Sequence, residues 1–303
     1  MKIAANGIQI EVEDHGSPAG QPLLLIMGLG MQLVAWHEDL VQLFVARGFR
    51  VIRFDNRDIG LSQGFDALGV PNMAVAGLKH LVGLPLRPPY TLADMADDAA
   101  GVLDALGIAS AHICGASMGG MIAQQMALRH PQRVKSLTLI MTSSGARHLP
   151  NPTARVQRAM LKRPANARDI ESVLAHYRGV YTLIGSPGFR PSAEWLDRRL
   201  RTSLARAYRP QGTSRQLMAI LADGDRSPRL ARIEAPTQII HGAADPLVPV
   251  AAAHDLARKI AGAQIDIIEG MGHDLPPQLW PRFVASVAGV AARVKAARPA
   301  RAA

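Results

Sequence analysis

Residues 111–131, "AHICGASMGGMIAQQMALRHP", decide how the rest of the chain is read. A short apolar run, "AHIC", leads into Gly115-Ala116-Ser117-Met118-Gly119, and a helical pattern follows to about Arg129. A serine at the tip of a sharp strand-to-helix turn has its hydroxyl held out from the backbone, and glycine is needed where the chain doubles back beside it. A helix starting just after Ser117 also aims its first backbone N–H groups at that hydroxyl. The pentapeptide alone recurs by chance in glycine-rich chains; the strand before it and the helix after it give it weight. A serine hydroxyl remains a poor nucleophile until a base takes its proton and a third group orients that base. The rest of the chain must therefore supply an acid and a histidine.

Both occur in the expected order, acid before histidine. "IIHGAADPLVP" (239–249) puts Asp245 just past a buried strand, and "IIEGMGHDLP" (267–276) puts His273 just past the next one. These are the carboxyl ends of adjacent strands, where open α/β sheets keep their sites. The plain alternatives are a turn-forming aspartate before Pro246 and a solvated loop histidine. Asp274 is the nearest rival acid, but a neighbour in sequence folds back onto the imidazole only with difficulty. A developing oxyanion needs two preorganised N–H donors. Met118, after the serine, is one candidate, and Leu29 in the turn "IMGLG" (26–30) is the other. Gly28, Gly115 and Gly119 are the expected spacers of the oxyanion turn and the serine turn.

Strand and helix patterns alternate along most of the chain. Strands are expected in "IQIEVED" (8–14), "QPLLLI" (21–26), "FRVIRFD" (49–55), "SAHICGAS" (110–117), "VKSLTLIMTSS" (134–144), "PTQIIHGAAD" (236–245) and "AQIDIIEGMGH" (263–273). Helices are expected over 36–48, over 91–107 with Thr91 as N-cap and Gly107 as stop, over 118–129 and over about 279–295. Such alternation predicts an α/β fold, a mostly parallel central sheet with helices on both faces. It breaks between Gly145 and Ile233, where four helical patterns follow one another without a strand. The expected organisation is a core in two parts, 1–145 and 231–303, interrupted by a helical cap over 146–230, with a disordered tail from about residue 296. Residues 67–89, largely apolar, are a second insertion, either lining a pocket beside the cap or forming a surface helix.

The net charge of +10 is local. Of the 34 basic residues 28 are arginine, and residues 147–232 hold 17 Lys+Arg against 6 Asp+Glu, whereas the remainder is nearly balanced. A nucleic-acid partner would call for a basic face with interleaved aromatics or a known motif; aromatics are only 4% and no motif appears. That leaves arginine-rich solvated helix faces, or a positively charged mouth that draws anionic substrates. The ten histidines show no metal-ligand spacing, so no metal is expected. Gly28-x-Gly30 lacks the third glycine and following acid of a dinucleotide loop, so no cofactor is expected either. Cys114, the single cysteine, precludes an internal disulfide, suits a reducing compartment and reads as a small core hydrophobe, with His112 on the same strand structural. Met27 and Met118 are the methionines beside the site. With no signal-like start and no apolar run long enough for a bilayer, a cytoplasmic protein without a membrane partner is expected. Its oligomeric state is left open, a dimer included.

Five stretches together resemble the α/β-hydrolase superfamily: "MGLG" (27–30), "FDNRDIGLS" (54–62), "GASMGG" (115–120), "HGAADPLVP" (241–249) and "GMGHDLP" (270–276). The likeness is to its cap-bearing branch of carboxylesterases, lactonases and carbon–carbon hydrolases. "IMGLG" and "DNRDIGLS" are most similar to aclacinomycin-methylesterase-like hydrolases. The resemblance implies an α/β-hydrolase fold, Ser117 as nucleophile, His273 as general base and then acid, Asp245 as the orienting acid, and cofactor-free hydrolysis of a small-molecule carboxylic ester. Lactone opening, carbon–carbon cleavage, a haloperoxidase-like perhydrolase activity and a non-catalytic small-molecule receptor are the rivals on the same fold. Two positions depart from the pattern: Met27-Gly28 stands where many relatives have His-Gly, and Asp58 stands where many have glycine.

Overall fold

In strand β3 (Gln21–Ile26) the apolar residues sort by parity: Leu24 and Ile26 belong to one hydrophobic cluster, Leu23 and Leu25 to another. That is the period-two alternation of a strand buried on both faces, and it places a layer on each side. The computed structural model, which describes residues 1–296, shows those layers. The strands are β1 (Lys2–Ala5), β2 (Ile8–His15), β3, β4 (Phe49–Phe54), β5 (Ala111–Ala116), β6 (Val134–Ile140), β7 (Thr237–Gly242) and β8 (Gln264–Ile268). They form one eight-stranded sheet in the order β1-β2-β4-β3-β5-β6-β7-β8. β3 to β8 are parallel; β2 pairs antiparallel with both β1 and β4. β1 is absent from the sequence reading, although Asn6-Gly7, both at positive φ (48° and 75°), is the two-residue turn that a hairpin favours.

Among the described residues ten α-helices accompany the sheet: α1 (Glu38–Ala46), α2 (Met73–Leu81), α3 (Leu92–Ala105), α4 (Met118–Arg129), α5 (Ala154–Leu161), α6 (Ile170–Ile184), α7 (Ala193–Arg206), α8 (Pro210–Asp223), α9 (Ala251–Lys259) and α10 (Trp280–Ala296). α3, α4 and α9 bury Met95, Ile122, Met126 and Leu256 against Leu24, Ile26, Ile113 and Ile239. On the other face α1 and α10 bury Phe44, Phe283 and Val287 against Leu23, Leu25, Cys114 and Ile240. Thr91 caps α3 through a reciprocal box with Asp94, whose carboxylate accepts from the Thr91 N–H at 2.7 Å. The expected tail from about 296 lies outside the described residues.

Among the described residues no strand interrupts the chain between Ile140 and Thr237, a stretch that carries α5 to α8. Arginines tie this insertion to the rest, Arg206 half-buried and Arg215 buried. Arg206 reaches Asp55 at 2.5 Å, and Arg215 grips Asp58 through Nε and Nη2 at 2.5 and 2.7 Å, with Nη2 also 2.8 Å from Asp66. Part of the charge excess of residues 147–232 is thus matched by acids of the core. α2 packs beside α8 yet buries only Ala76, leaving Leu78 and Leu81 64% and 82% exposed.

Candidate active site

Ser117, between β5 and α4, adopts φ 55° and ψ −121°, a backbone conformation that costs a non-glycine residue about 1–3 kcal/mol. The surrounding backbone holds it there: its N–H donates to Ile140 O at 2.9 Å, and its carbonyl accepts from Gly120 N–H and from Thr142 Oγ1. The two flanking glycines are steric necessities. A Cβ on Gly115 would stand 2.2 Å from Gly119 O, and one on Gly119 would stand 2.0 Å from Ile26 O. A Cβ on Gly28 would come within 3.2 Å of Ser117 Cβ, so the turn 27–30 lies directly against the serine. Among the described residues neither the Leu29 nor the Met118 backbone N–H has a hydrogen-bond acceptor.

The three side chains read from separate windows meet. Ser117 Oγ is 2.9 Å from His273 Nε2, and His273 Nδ1 is 2.7 Å from Asp245 Oδ2. A carboxylate only accepts, so the proton lies on Nδ1 and Nε2 is free to accept from the serine hydroxyl. Asp245 is locked in turn, since its Oδ1 accepts from Leu247 N–H at 2.9 Å and Val248 N–H at 2.8 Å. Asp245 and His273 are both buried, at 6% and 7% exposure, which strengthens the electrostatics between them. Asp274, the rival acid, points elsewhere: its Oδ1 accepts from the Ser186 N–H and hydroxyl.

Sequence reasoning missed His241, a buried histidine at the end of β7. Its Nε2–H donates to Val248 O at 2.8 Å and lies 3.5 Å from Asp245 Oδ2, bracing the loop that carries the acid. Burial holds this imidazole below its ordinary pKa, against the opposing pull of Val248 O and Asp245. Asp58, a departure from the resembled pattern, has a structural place here. It adopts φ 74°, the left-handed region that favours glycine, and it accepts from Arg215, Tyr90 Oη (2.9 Å) and Phe65 N–H (3.0 Å). Burial pushes its carboxyl up, but the Arg215 bond together with Phe65 and Tyr90 brings it below the usual aspartate range. Cys114 and His112 are buried on β5, and burial pushes the thiol far above its ordinary pKa. Glu13, His15 and Glu38 are the metal-capable group among the described residues; Arg53 engages both carboxylates, and none of the three belongs to the serine site.

The family described as alpha/beta hydrolase fold matches residues 21–277, spanning the serine turn, the acid and the histidine. The chain belongs to the α/β-hydrolase family. Within it, this α/β hydrolase is 30% identical over 294 residues to rhodomycin D methylesterase DnrP of Streptomyces peucetius, covering 91% of this chain and 92% of the relative. It is equally 30% identical over 318 residues to 2-hydroxymuconate semialdehyde hydrolase of Pseudomonas sp. strain CF600, covering 98% and 95%. Among solved structures, the meta-cleavage product hydrolase of Pseudomonas fluorescens IP01 superposes with a TM-score of 0.73 at 22% identity, covering 97% of both chains. No helix among the described residues is long and apolar enough to cross a membrane.

Proposed function

We propose that this α/β hydrolase is a serine esterase that cleaves a carboxylic ester through an acyl-enzyme. The observation that carries the reading is the continuous relay from Ser117 Oγ to His273 Nε2 at 2.9 Å and from His273 Nδ1 to Asp245 at 2.7 Å. Ser117 Oγ attacks the ester carbonyl as His273 Nε2 takes its proton, and Asp245 stabilises the imidazolium. The Leu29 and Met118 N–H groups, which have no acceptor among the described residues, receive the oxyanion. Collapse expels the alcohol, protonated by His273, and leaves an acyl group on Ser117. Water, deprotonated by His273, then attacks that acyl group, and the acid departs as Ser117 regains its proton. The insertion 146–230 acts as a cap that excludes bulk water and shapes the pocket.

Similarity to rhodomycin D methylesterases makes a methyl ester the first substrate class to test. Similarity at the same identity to 2-hydroxymuconate semialdehyde hydrolase supports carbon–carbon cleavage as a second reading. Intact-mass detection of a fluorophosphonate adduct tests the mechanism common to both. One adduct on the wild type and none on Ser117→Ala or His273→Ala is expected; a folded wild type that takes no adduct refutes the proposal. Turnover of methyl esters against a ring-fission dienoate then separates the two substrates.

A further inference from the structure

The imidazole of His273 is oriented by Asp245, but its backbone is held by the helical insertion. His273 N–H donates to Ile184 O at 2.7 Å, at the last residue of α6, and Gly188 N–H donates to Gly270 O at 2.9 Å. Between these two bonds sits Ser186, 1% exposed. Its Oγ accepts from Gly272 N–H at 2.9 Å and donates to Asp274 Oδ1, which also accepts from Ser186 N–H at 3.1 Å. One hydroxyl therefore grips the residue before His273 and the residue after it. The contact is also close-packed: a Cβ on Gly272 would stand 2.5 Å from Gly185 O and 2.6 Å from Ile184 O. On its other side the same loop rests on the core through Ala244 N–H to Met271 O at 3.0 Å.

We infer that Ser186 is a positioning residue for the general base, so that the insertion sets the placement of His273 as well as covering the site. This rests on the esterase reading for its kinetic consequences but on hydrogen-bond geometry alone for its structural ones. An imidazole must hold its donor–acceptor geometry through both proton transfers, and small misplacements of a catalytic group cost rate steeply. Without the Ser186 hydroxyl, Gly272 N–H loses its acceptor and Asp274 keeps a single donor. The loop then gains freedom on the side where the core offers no substitute.

Two variants separate placement from charge. Ser186→Ala removes the grip and keeps the Asp274 carboxylate; Asp274→Asn keeps an Oδ1 acceptor for both Ser186 donors and removes the charge. Ser186→Ala is expected to lower kcat about tenfold with KM within about twofold, and to slow fluorophosphonate inactivation by the same factor. Asp274→Asn is expected to keep kcat within about twofold. Ser186→Cys, a weaker hydrogen-bonding isostere, should fall between wild type and alanine.

Hydrogen exchange supplies the readout that needs no turnover. Ser186→Ala should speed exchange about tenfold or more in the peptide covering residues 270–275, which carries no substitution, while the β5 peptide stays protected. Unchanged exchange over 270–275, or equal loss of kcat in Ser186→Ala and Asp274→Asn, overturns the inference. If the wild type takes no fluorophosphonate, the esterase reading falls, and the exchange measurement alone decides on Ser186.

Discussion

Gly119→Ala is the sharpest single perturbation of the serine turn. A Cβ built on Gly119 lies 2.0 Å from Ile26 O, 2.6 Å from Ile26 C and 2.9 Å from Met27 O. All three are backbone atoms, so no side chain can swing aside. Reaching even 3.0 Å from Ile26 O requires about 1 Å of separation between the start of α4 and the end of β3, working from the 2.0 Å contact. Ser117 and Met118 ride on the first element, Leu29 on the second, so the proposed nucleophile and one proposed oxyanion donor move apart from the other. Overpacking of this kind costs about 1–3 kcal/mol, and the loss of glycine's freedom in the unfolded chain returns about 0.4–1 kcal/mol. A net destabilisation of about 1–2 kcal/mol is therefore expected, too little to unfold a domain of this size. An offset of about 1 Å between reacting groups should cost about a hundredfold in kcat/KM and in fluorophosphonate inactivation rate. Gly77→Ala in α2 is the control, since nothing lies within 4 Å of its Cβ; its rate should match wild type. A Gly119→Ala protein reacting within threefold of wild type would refute the argument that this contact fixes the site.

Two further outcomes follow from the buried groups. Arg215→Met strands Asp58 without its guanidinium, and breaking a buried pair costs about 3–5 kcal/mol, measured as a loss of urea stability at pH 7. Because the folded-state pKa of Asp58 lies below its ordinary value, the pair stabilises fully above the ordinary aspartate range and fades as pH falls through the folded value; the gap between wild type and variant should narrow below about pH 4. Cys114, fully buried with its thiol pushed up by burial, should resist a chromogenic disulfide reagent in the native protein and react with one equivalent after denaturation; fast native labelling would contradict its place in the core.

What the sequence disclosed about this molecule was what short windows encode. Ser117, Asp245 and His273 each sit just past a strand, in turns whose glycines and prolines mark them, and the order of elements carries three distant windows to the same sheet edge. The parallel order of β3 to β8 was legible for the same reason, since strand and helix alternate in plain view. β1 was missed because "KIAA" is four residues long without alternation, although the Asn6-Gly7 turn was there to be read. His241 was passed over as part of a strand, because a buried histidine and a core residue look alike until the loop around it is folded.

The charges of residues 147–232 show where local reading stops. In sequence they are an excess without a destination, compatible with solvated faces or a steering mouth. In the fold half-buried Arg206 and buried Arg215 pair with Asp55 and Asp58, 151 and 157 residues away. The partners lie in the loop after β4, and no window joins them. α8 then extends the same attachment to the serine site. Gln216 Oε1 accepts from Gly30 N–H at 2.9 Å, and Thr213 packs where a Cβ on Gly30 would stand, 2.8 Å from Oγ1. With the α6–α7 connection gripping the loop of His273, the insertion touches both that loop and the turn that bears Leu29. Substitutions that alter how the insertion sits should therefore change catalytic rate as well as substrate fit. A cap that merely shielded the pocket would change fit alone.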